Sequence, residues 1–291
     1  MTCIEVIAPG ALTTVQDLGR PGWAHIGVPR SGAADRPALR HANRLVGNEV
    51  GAPGLETTLT GPRLRVDGPT VVALTGAAAD ATVGERPVPM HQAFALHAGD
   101  VLHVGTARTG LRTYVAFNGG IDVPLVLGSA ATDLLTGLGP AQLARGDILP
   151  VGAAGGGRAS GAPTPQPPPL AELPRFPHLR TIIGPRNDWF TAESVARLTG
   201  EPFTVNHASN RIGLRLDGPR LDRARPGELL SEGLVPGAIQ VPADGRPILL
   251  LADHPTTGGY PVIAVVISED QPIAAQLRPG QQLRFSMVPP R

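Results

Sequence analysis

The chain has 291 residues, of which 42% are hydrophobic and 17% charged, with a formal net charge of +1. So even a charge balance leaves no electrostatic footprint for a nucleic-acid backbone or an anionic membrane, and the expected partner is a protein or a small molecule. All 25 basic residues are arginine, so the chain itself can carry no biotin and no lysine Schiff base, and it cannot complete a Gly-Lys-Ser/Thr phosphate loop. Cys3 is the single cysteine, which excludes an internal disulfide and a cysteine metal cluster. No basic leader or long apolar run opens the sequence, and the later apolar stretches at 248–252 and 262–267 are too short to cross a bilayer. A soluble, cytoplasmic protein is expected.

In chain order, a β-rich run at 4–7 leads into a polar loop, Thr13-Thr14-Val15-Gln16-Asp17-Leu18-Gly19-Arg20, continuing to Gly27-Val28-Pro29-Arg30-Ser31-Gly32. Asp35 then stands as an N-cap before Arg36-Pro37, and Gly47 as the stop, which predicts a helix across 36–46. Further strands are expected at 71–74, 101–104 and 112–117. Residues 152–169 are dominated by Gly and Pro and carry no large aliphatic or aromatic side chain, the composition of a linker. Beyond it, strands are expected at 181–183, 213–216, 248–251, 262–266 and 282–286, with a helix from Thr191 to Leu198 and a short one before Pro279-Gly280. Many short strands with frequent turns predict barrels or sandwiches, so the fold class is mostly β with a few short helices. The domains are expected at 1–151 and 170–291. Gly119-Gly120 echoed by Gly258-Gly259, and Thr60-Gly61-Pro62-Arg63-Leu64 echoed by Asp217-Gly218-Pro219-Arg220-Leu221, suggest a duplicated β unit.

Three constellations offer chemistry. Asp17 and Arg20 place opposite charges on a glycine-rich loop, where they can orient a polar ligand or pair with each other on the surface. Arg211, just before the alternating run Ile212-Gly213-Leu214-Arg215-Leu216, offers a planar fork for a carboxylate or phosphate, or an internal partner for Glu228 or Glu232. The apolar run at 248–252 ends in Asp253-His254-Pro255-Thr256-Thr257-Gly258-Gly259-Tyr260-Pro261, where a carboxylate, an imidazole and hydroxyls meet a Gly-Gly turn whose amides can hold an oxyanion. The bland alternative is a tight hairpin with Asp253 satisfying loop amides. The histidines are scattered, so no metal is expected.

Together with Ala42-Asn43-Arg44-Leu45-Val46-Gly47-Asn48, Gly119-Gly120-Ile121-Asp122-Val123-Pro124, Leu127-Gly128-Ser129, Ser209-Asn210-Arg211-Ile212-Gly213 and Ser231-Glu232-Gly233, these segments resemble the biotin-dependent carboxyltransferase-like family called allophanate hydrolase subunit 2. The resemblance implies two cyclophilin-like β barrels. It also implies a role as the C component of an ATP-dependent 5-oxoprolinase that opens 5-oxo-L-proline to L-glutamate. The implied partners are a protein of the B type (the allophanate hydrolase subunit 1 class) and a protein of the A type from the same 5-oxoprolinase. The alternatives are the carboxyltransferase component of a urea carboxylase and allophanate pathway, or a non-catalytic KipA-like antagonist of a kinase inhibitor. On this reading Asp253 and Arg211 are catalytic, Arg211 holding a carboxylate or phosphate, and Asp17, Arg20, Thr257, Gly258, Gly259 and Tyr260 bind substrate. ATP then sits at a subunit interface or on a partner.

Overall fold

In the computed structural model residues 2–153, 174–227 and 229–289 are described. They fall into two compact units, one formed by residues 2–20 and 35–153, the other by 21–34 and 174–289. The linker read at 152–169 lies, apart from its first two residues, outside the described residues. Residues 21–34 cluster with the second unit, which boundaries drawn along the sequence did not foresee. The reason is a set of buried hydrogen bonds made by Ser31 and Gly32.

The first unit holds β1 (Cys3–Ala8), β2 (Thr13–Gln16), α1 (Arg36–Leu45), β3 (Gly54–Thr58), β4 (Arg63–Val66), β5 (Thr70–Val83), β6 (Arg86–Pro87), β7 (Ala93–Leu96), β8 (Val101–Phe117) and β9 (Ile148–Pro150). Its strands form one antiparallel sheet in the order β2-β3-β8-β4-β1-β9, with β5 branching from β8 to reach β6 and β7. The sheet curls as an open half-barrel around Ile4, Val6, Leu64, Leu74, Val104, Val115 and Phe117, all buried. The runs expected at 101–104 and 112–117 are one strand, because register shifts at Gly76/Ala78, Ala78/Ala79 and Ala79/Ala81 of β5 let the pair bend without breaking. Gly76 (φ +82°) is required there, since a Cβ would stand 2.5 Å from the Arg112 carbonyl oxygen.

Helix α1 begins as its sequence indicates: the Asp35 carboxylate accepts the Ala38 amide at 3.0 Å, and Leu39 and Ala42 face the sheet. On its other side His41 stacks on His91, ring centroids 5.7 Å apart. Burial lowers the pKa of both imidazoles, and His91 and Arg44 lower that of His41 further. The unfolded chain therefore takes up protons first as the pH falls. The stabilising contribution is complete above the ordinary histidine pKa of about 6.5 and is lost as the pH drops through it toward the lowered folded value. His91 has φ +58°, a conformation asparagine also accepts. The urea midpoint of His91→Asn is expected to fall less than that of the parent between pH 7.5 and 5.5; equal falls would refute the linkage.

The second unit holds β10 (His178–Ile183), α2 (Ala192–Gly200), β11 (Phe203–Val205), β12 (Gly213–Asp217), β13 (Glu232–Gly233), β14 (Ala238–Gln240), β15 (Ile248–Leu250), β16 (Thr257–Gly258), β17 (Val262–Val266), α3 (Gln271–Ala275) and β18 (Gln282–Met287). Seven strands close a barrel, β10-β17-β14-β15-β12-β11-β18, in which β18 returns to β10 in parallel. Leu179, Phe203, Leu214, Ile239, Leu249, Ile263 and Phe285 fill it. Strands β13 and β16 pair with each other as a separate two-stranded sheet. The described residues are thus mostly β with three short α-helices, the first barrel open and the second closed.

Candidate functional site

In the second unit, the chain leaves the buried strand β15 and delivers Asp253 to a fully enclosed position, 0% exposed. Arg211 reaches it from the loop before β12. Arg211 Nε donates to Asp253 Oδ2 at 2.8 Å and Nη2 to Oδ1 at 2.9 Å, a bidentate pair, and Nη2 also donates to the Gly32 carbonyl at 2.7 Å. Ser31 Oγ donates to Asp253 Oδ1 at 2.6 Å. The Asp253 amide closes the arrangement on the Arg211 carbonyl at 3.0 Å. These bonds hold residues 21–34 to the second unit, and Ser31 adopts φ +52° within them.

The direction of these bonds decides what the pair can do. The Arg211 fork is turned onto Asp253 and Gly32 and the residue is 1% exposed, so these donors position protein groups and are not presented to a ligand. Glu232, weighed as a partner for Arg211, pairs with Arg186 instead, and that guanidinium lowers the Glu232 pKa through its hydrogen bond. Glu228 lies outside the described residues. His254 is buried and its Nδ1 faces the Pro255 carbonyl at 2.7 Å, a contact that requires a proton on Nδ1.

The Thr257-Gly258-Gly259-Tyr260 turn is held differently. Gly258 pairs with Glu232 across the β13–β16 sheet, and Gln240 Nε2 donates to the Tyr260 carbonyl at 3.0 Å. A Cβ on Gly258 would lie 2.9 Å from both Gln240 Nε2 and Leu234 Cδ1, so a side chain there would push aside the ends of those two residues. Thr257 is exposed, and so is the Tyr260 ring. Gly119 and Gly120 have φ +98° and +73°, whereas neither Gly258 nor Gly259 has a positive φ; the dipeptide echo is not an echo of backbone shape.

In the first unit, Asp17 and Arg20 are both buried, and neither pairs with the other. Asp17 Oδ1 accepts from the Gly19 amide and from Ser129 Oγ, each at 2.7 Å, and Oδ2 accepts from the Ala130 amide at 2.7 Å. Arg20 Nη2 donates to the Ala131 carbonyl, and Nε lies 3.4 Å from the Val126 carbonyl. Gln16 Nε2 reaches the Thr132 carbonyl at 2.9 Å. The surface-pair reading of Asp17 and Arg20 is thereby replaced by a buried polar seam under residues 126–133. Ser129 and Gln16 were visible in the sequence only as members of Leu127-Gly128-Ser129 and of the Thr13–Arg20 segment; Asp133 carried no signal. Among the described residues no three His, Cys, Asp or Glu groups gather to hold a metal, and no helix is long and apolar enough to cross a membrane. A separate surface cavity of about 520 Å³ is lined by Asp217, Gly218, Arg220, Asp244 and Arg246, none of them a residue of either cluster.

The family described as carboxyltransferase domain, subdomain A and B, matches residues 26–287. The C subunit of the 5-oxoprolinase of Escherichia coli K12 is 39% identical over 285 residues, covering 97% of this chain and 90% of that protein. The urea amidolyase of Saccharomyces cerevisiae is 34% identical over 98% of this chain, which spans only 16% of its length. The crystal structure of the Kluyveromyces lactis urea carboxylase superposes on 98% of this chain with a TM-score of 0.87 at 32% identity, this chain spanning 27% of it.

Proposed function

This chain belongs to the carboxyltransferase domain, subdomain A and B, family, and on that premise we propose that it is the C component of a 5-oxoprolinase complex. The observation that carries this reading is the mutual coverage with the E. coli protein, 97% of one chain and 90% of the other at 39% identity. The reaction opens the lactam of 5-oxo-L-proline to L-glutamate at the expense of ATP. An amide carbonyl under attack develops oxyanion charge, which preorganised donors must meet. We assign the Gly259 amide, beside Thr257 and Tyr260, to that task, since the Gly258 amide lies in the ladder with Glu232. Asp253 and Arg211 hold Ser31 and Gly32 in place within the same unit.

The N-termini of the two longer helices offer no seat for a nucleotide phosphate. The N-terminus of α1 is closed by the Asp35 carboxylate, and that of α2 by Thr191 with Glu193 in its first turn. With no lysine for a phosphate loop, we place ATP on a partner chain or at an interface. The partners are a B-type and an A-type 5-oxoprolinase protein. A carboxyl-transfer role is the second reading, supported by the urea amidolyase relative; it would need a biotin carrier supplied by another chain.

Copurification with the A-type and B-type proteins decides between them. ATP-dependent glutamate release from 5-oxo-L-proline is expected from the assembled complex and not from this chain alone. An assembled complex that hydrolyses no 5-oxoproline but carboxylates urea when given carboxybiotin carrier would replace the first reading by the second.

A further inference from the structure

The surface cavity of the second unit is built by two loops that are bonded to each other. Strand β12 ends at Asp217 and gives way to the turn Gly218-Pro219-Arg220, while Asp244-Gly245-Arg246 turns the chain between β14 and β15. The Leu221 amide donates to the Gly245 carbonyl and the Gly245 amide to the Pro242 carbonyl, both at 3.0 Å. Gly245 adopts φ +75° to make this approach. Arg220 Nε donates to the Asp244 carbonyl at 3.0 Å, which fixes the guanidinium against the facing loop. The Arg246 amide donates to Asp244 Oδ1 at 3.1 Å. Asp217 accepts from Asn206 Nδ2 at 2.6 Å and from Arg246 Nη1 at 3.4 Å.

These bonds leave a defined set of groups with no hydrogen bond to another described residue: Arg220 Nη1 and Nη2, Arg246 Nε and Nη2, and Asp244 Oδ2. Their three residues line one cavity of about 520 Å³, inside the range of about 300–1,000 Å³ usual for small-molecule sites. The set amounts to two guanidinium edges and one carboxylate oxygen. We propose that the cavity binds an acidic amino acid, with one carboxylate on Arg220, the other on Arg246 and the ammonium on Asp244 Oδ2. A neutral amino acid leaves one guanidinium unmatched. A plain dicarboxylate or a phosphate sets its own charge against the Asp244 carboxylate.

L-Glutamate belongs to this class and is the product of the reaction proposed above; the choice of probe rests on that reading, whereas the cavity and its charges do not. No residue of the Thr257-Gly258-Gly259-Tyr260 turn lines the cavity, so this is a second site. Its walls are open to water, the Arg246 and Asp217 side chains being 66% and 44% exposed. Ion pairs in such a setting are weak and screened by salt, so the site fills only as its ligand accumulates.

The test is an NMR titration of the purified chain that follows the backbone amides of Arg220, Gly245 and Arg246. The probes are L-glutamate, glutarate (no ammonium), L-glutamine (one carboxylate) and inorganic phosphate. L-Glutamate is expected to shift all three amides and to bind ~5-fold more tightly than each of the others, the scale of one exposed ion pair. Arg220→Gln and Arg246→Gln should each weaken L-glutamate ~5-fold. Asp244→Asn keeps the Oδ1 acceptor but turns the second oxygen into a donor, and should erase the advantage over glutarate. Arg63→Gln, at the matching position of the echoed Thr60-Gly61-Pro62-Arg63-Leu64, removes the same charge elsewhere and should leave binding unchanged. All four substituted residues are exposed, so each variant is expected to fold, with circular dichroism as the check. Glutarate or phosphate binding as tightly as L-glutamate overturns the proposal. So do shifts that miss these amides, or that persist unweakened in both arginine variants. A complex with the A-type and B-type proteins that releases glutamate from 5-oxoproline, while L-glutamate leaves these amides unmoved, refutes the site and spares the function. A complex inert toward 5-oxoproline whose chain still binds L-glutamate through Arg220 refutes the function and spares the site.

Discussion

Arg211→Ala is expected to lower the unfolding free energy by about 3–5 kcal/mol, because it strands the Asp253 carboxylate in a position that is 0% exposed. It also releases the Gly32 carbonyl and leaves Ser31 bonded to an aspartate that no longer has a fixed position. Both tryptophans, Trp23 and Trp189, belong to the second unit, so their fluorescence in urea reports this change directly. Arg211→Lys keeps the charge but not the two-pronged geometry and should fall between the parent and the alanine variant. Combining Arg211→Met with Asp253→Leu removes both charges, and the double variant should be more stable than Arg211→Ala. A loss below about 1 kcal/mol in the alanine variant would show that the pair is not a structural clamp. Activity of the complex should fall with it, through displacement of residues 21–34.

Arg112→Met in the first unit is expected to cost a similar amount, about 3–5 kcal/mol, for a related reason. Arg112 Nε lies 3.4 Å from Glu56 Oε1, with the two side chains 2% and 1% exposed. Tyr114 donates to the other Glu56 oxygen at 2.7 Å and accepts the Asp35 amide at 2.7 Å, joining the ion pair to the residue that caps α1. Burial raises the Tyr114 pKa, and the charges of Glu56 and Asp35 raise it further, so the phenol stays protonated and able to donate. Amide exchange in β3 and β8, which carry Glu56 and Arg112, should accelerate in Arg112→Met. Tyr114→Phe should lose about 1–3 kcal/mol, since both of its partners are left buried. Exchange rates in β3 and β8 that match the parent would show that the network contributes nothing to the sheet.

The elements most legible in the sequence were those set by local chemistry. The helix at Arg36–Leu45 announces itself through Asp35, Pro37 and Gly47, and α2 through Thr191, whose hydroxyl accepts the Ser194 amide at 3.1 Å. Strand β17 stands out as a compact apolar run, and β10, β12 and β18 as runs that mix apolar with polar residues, because the closed barrel buries their inward faces. By contrast β2 (Thr13–Gln16) reads as a polar loop. Its four residues are all buried, but they satisfy threonine and glutamine side chains through long-range partners such as the Thr132 carbonyl, 116 residues away. Strand β8 reads as two strands because its middle, 105–111, mixes exposed and buried residues without a regular alternation where β5 bulges against it.

The residues of the candidate site divide along the same line. Sequence alone picked out Asp17, Arg20, Arg211 and Asp253 as charges embedded in glycine-rich or apolar surroundings, and it excluded lysine chemistry outright by composition. It had no means of pairing them. Arg211 finds Asp253 across 42 residues and Gly32 across 179, and Asp17 finds Ser129 across 112. Which donors are spent within the protein and which are left over is a property of these long-range contacts, because a hydrogen bond depends on where two groups are placed in space and not on their distance along the chain. Residue types were thus determined by the sequence, whereas the tertiary structure decided that Arg211 clamps Asp253 and Gly32 and that Arg20 ties the Ala131 carbonyl.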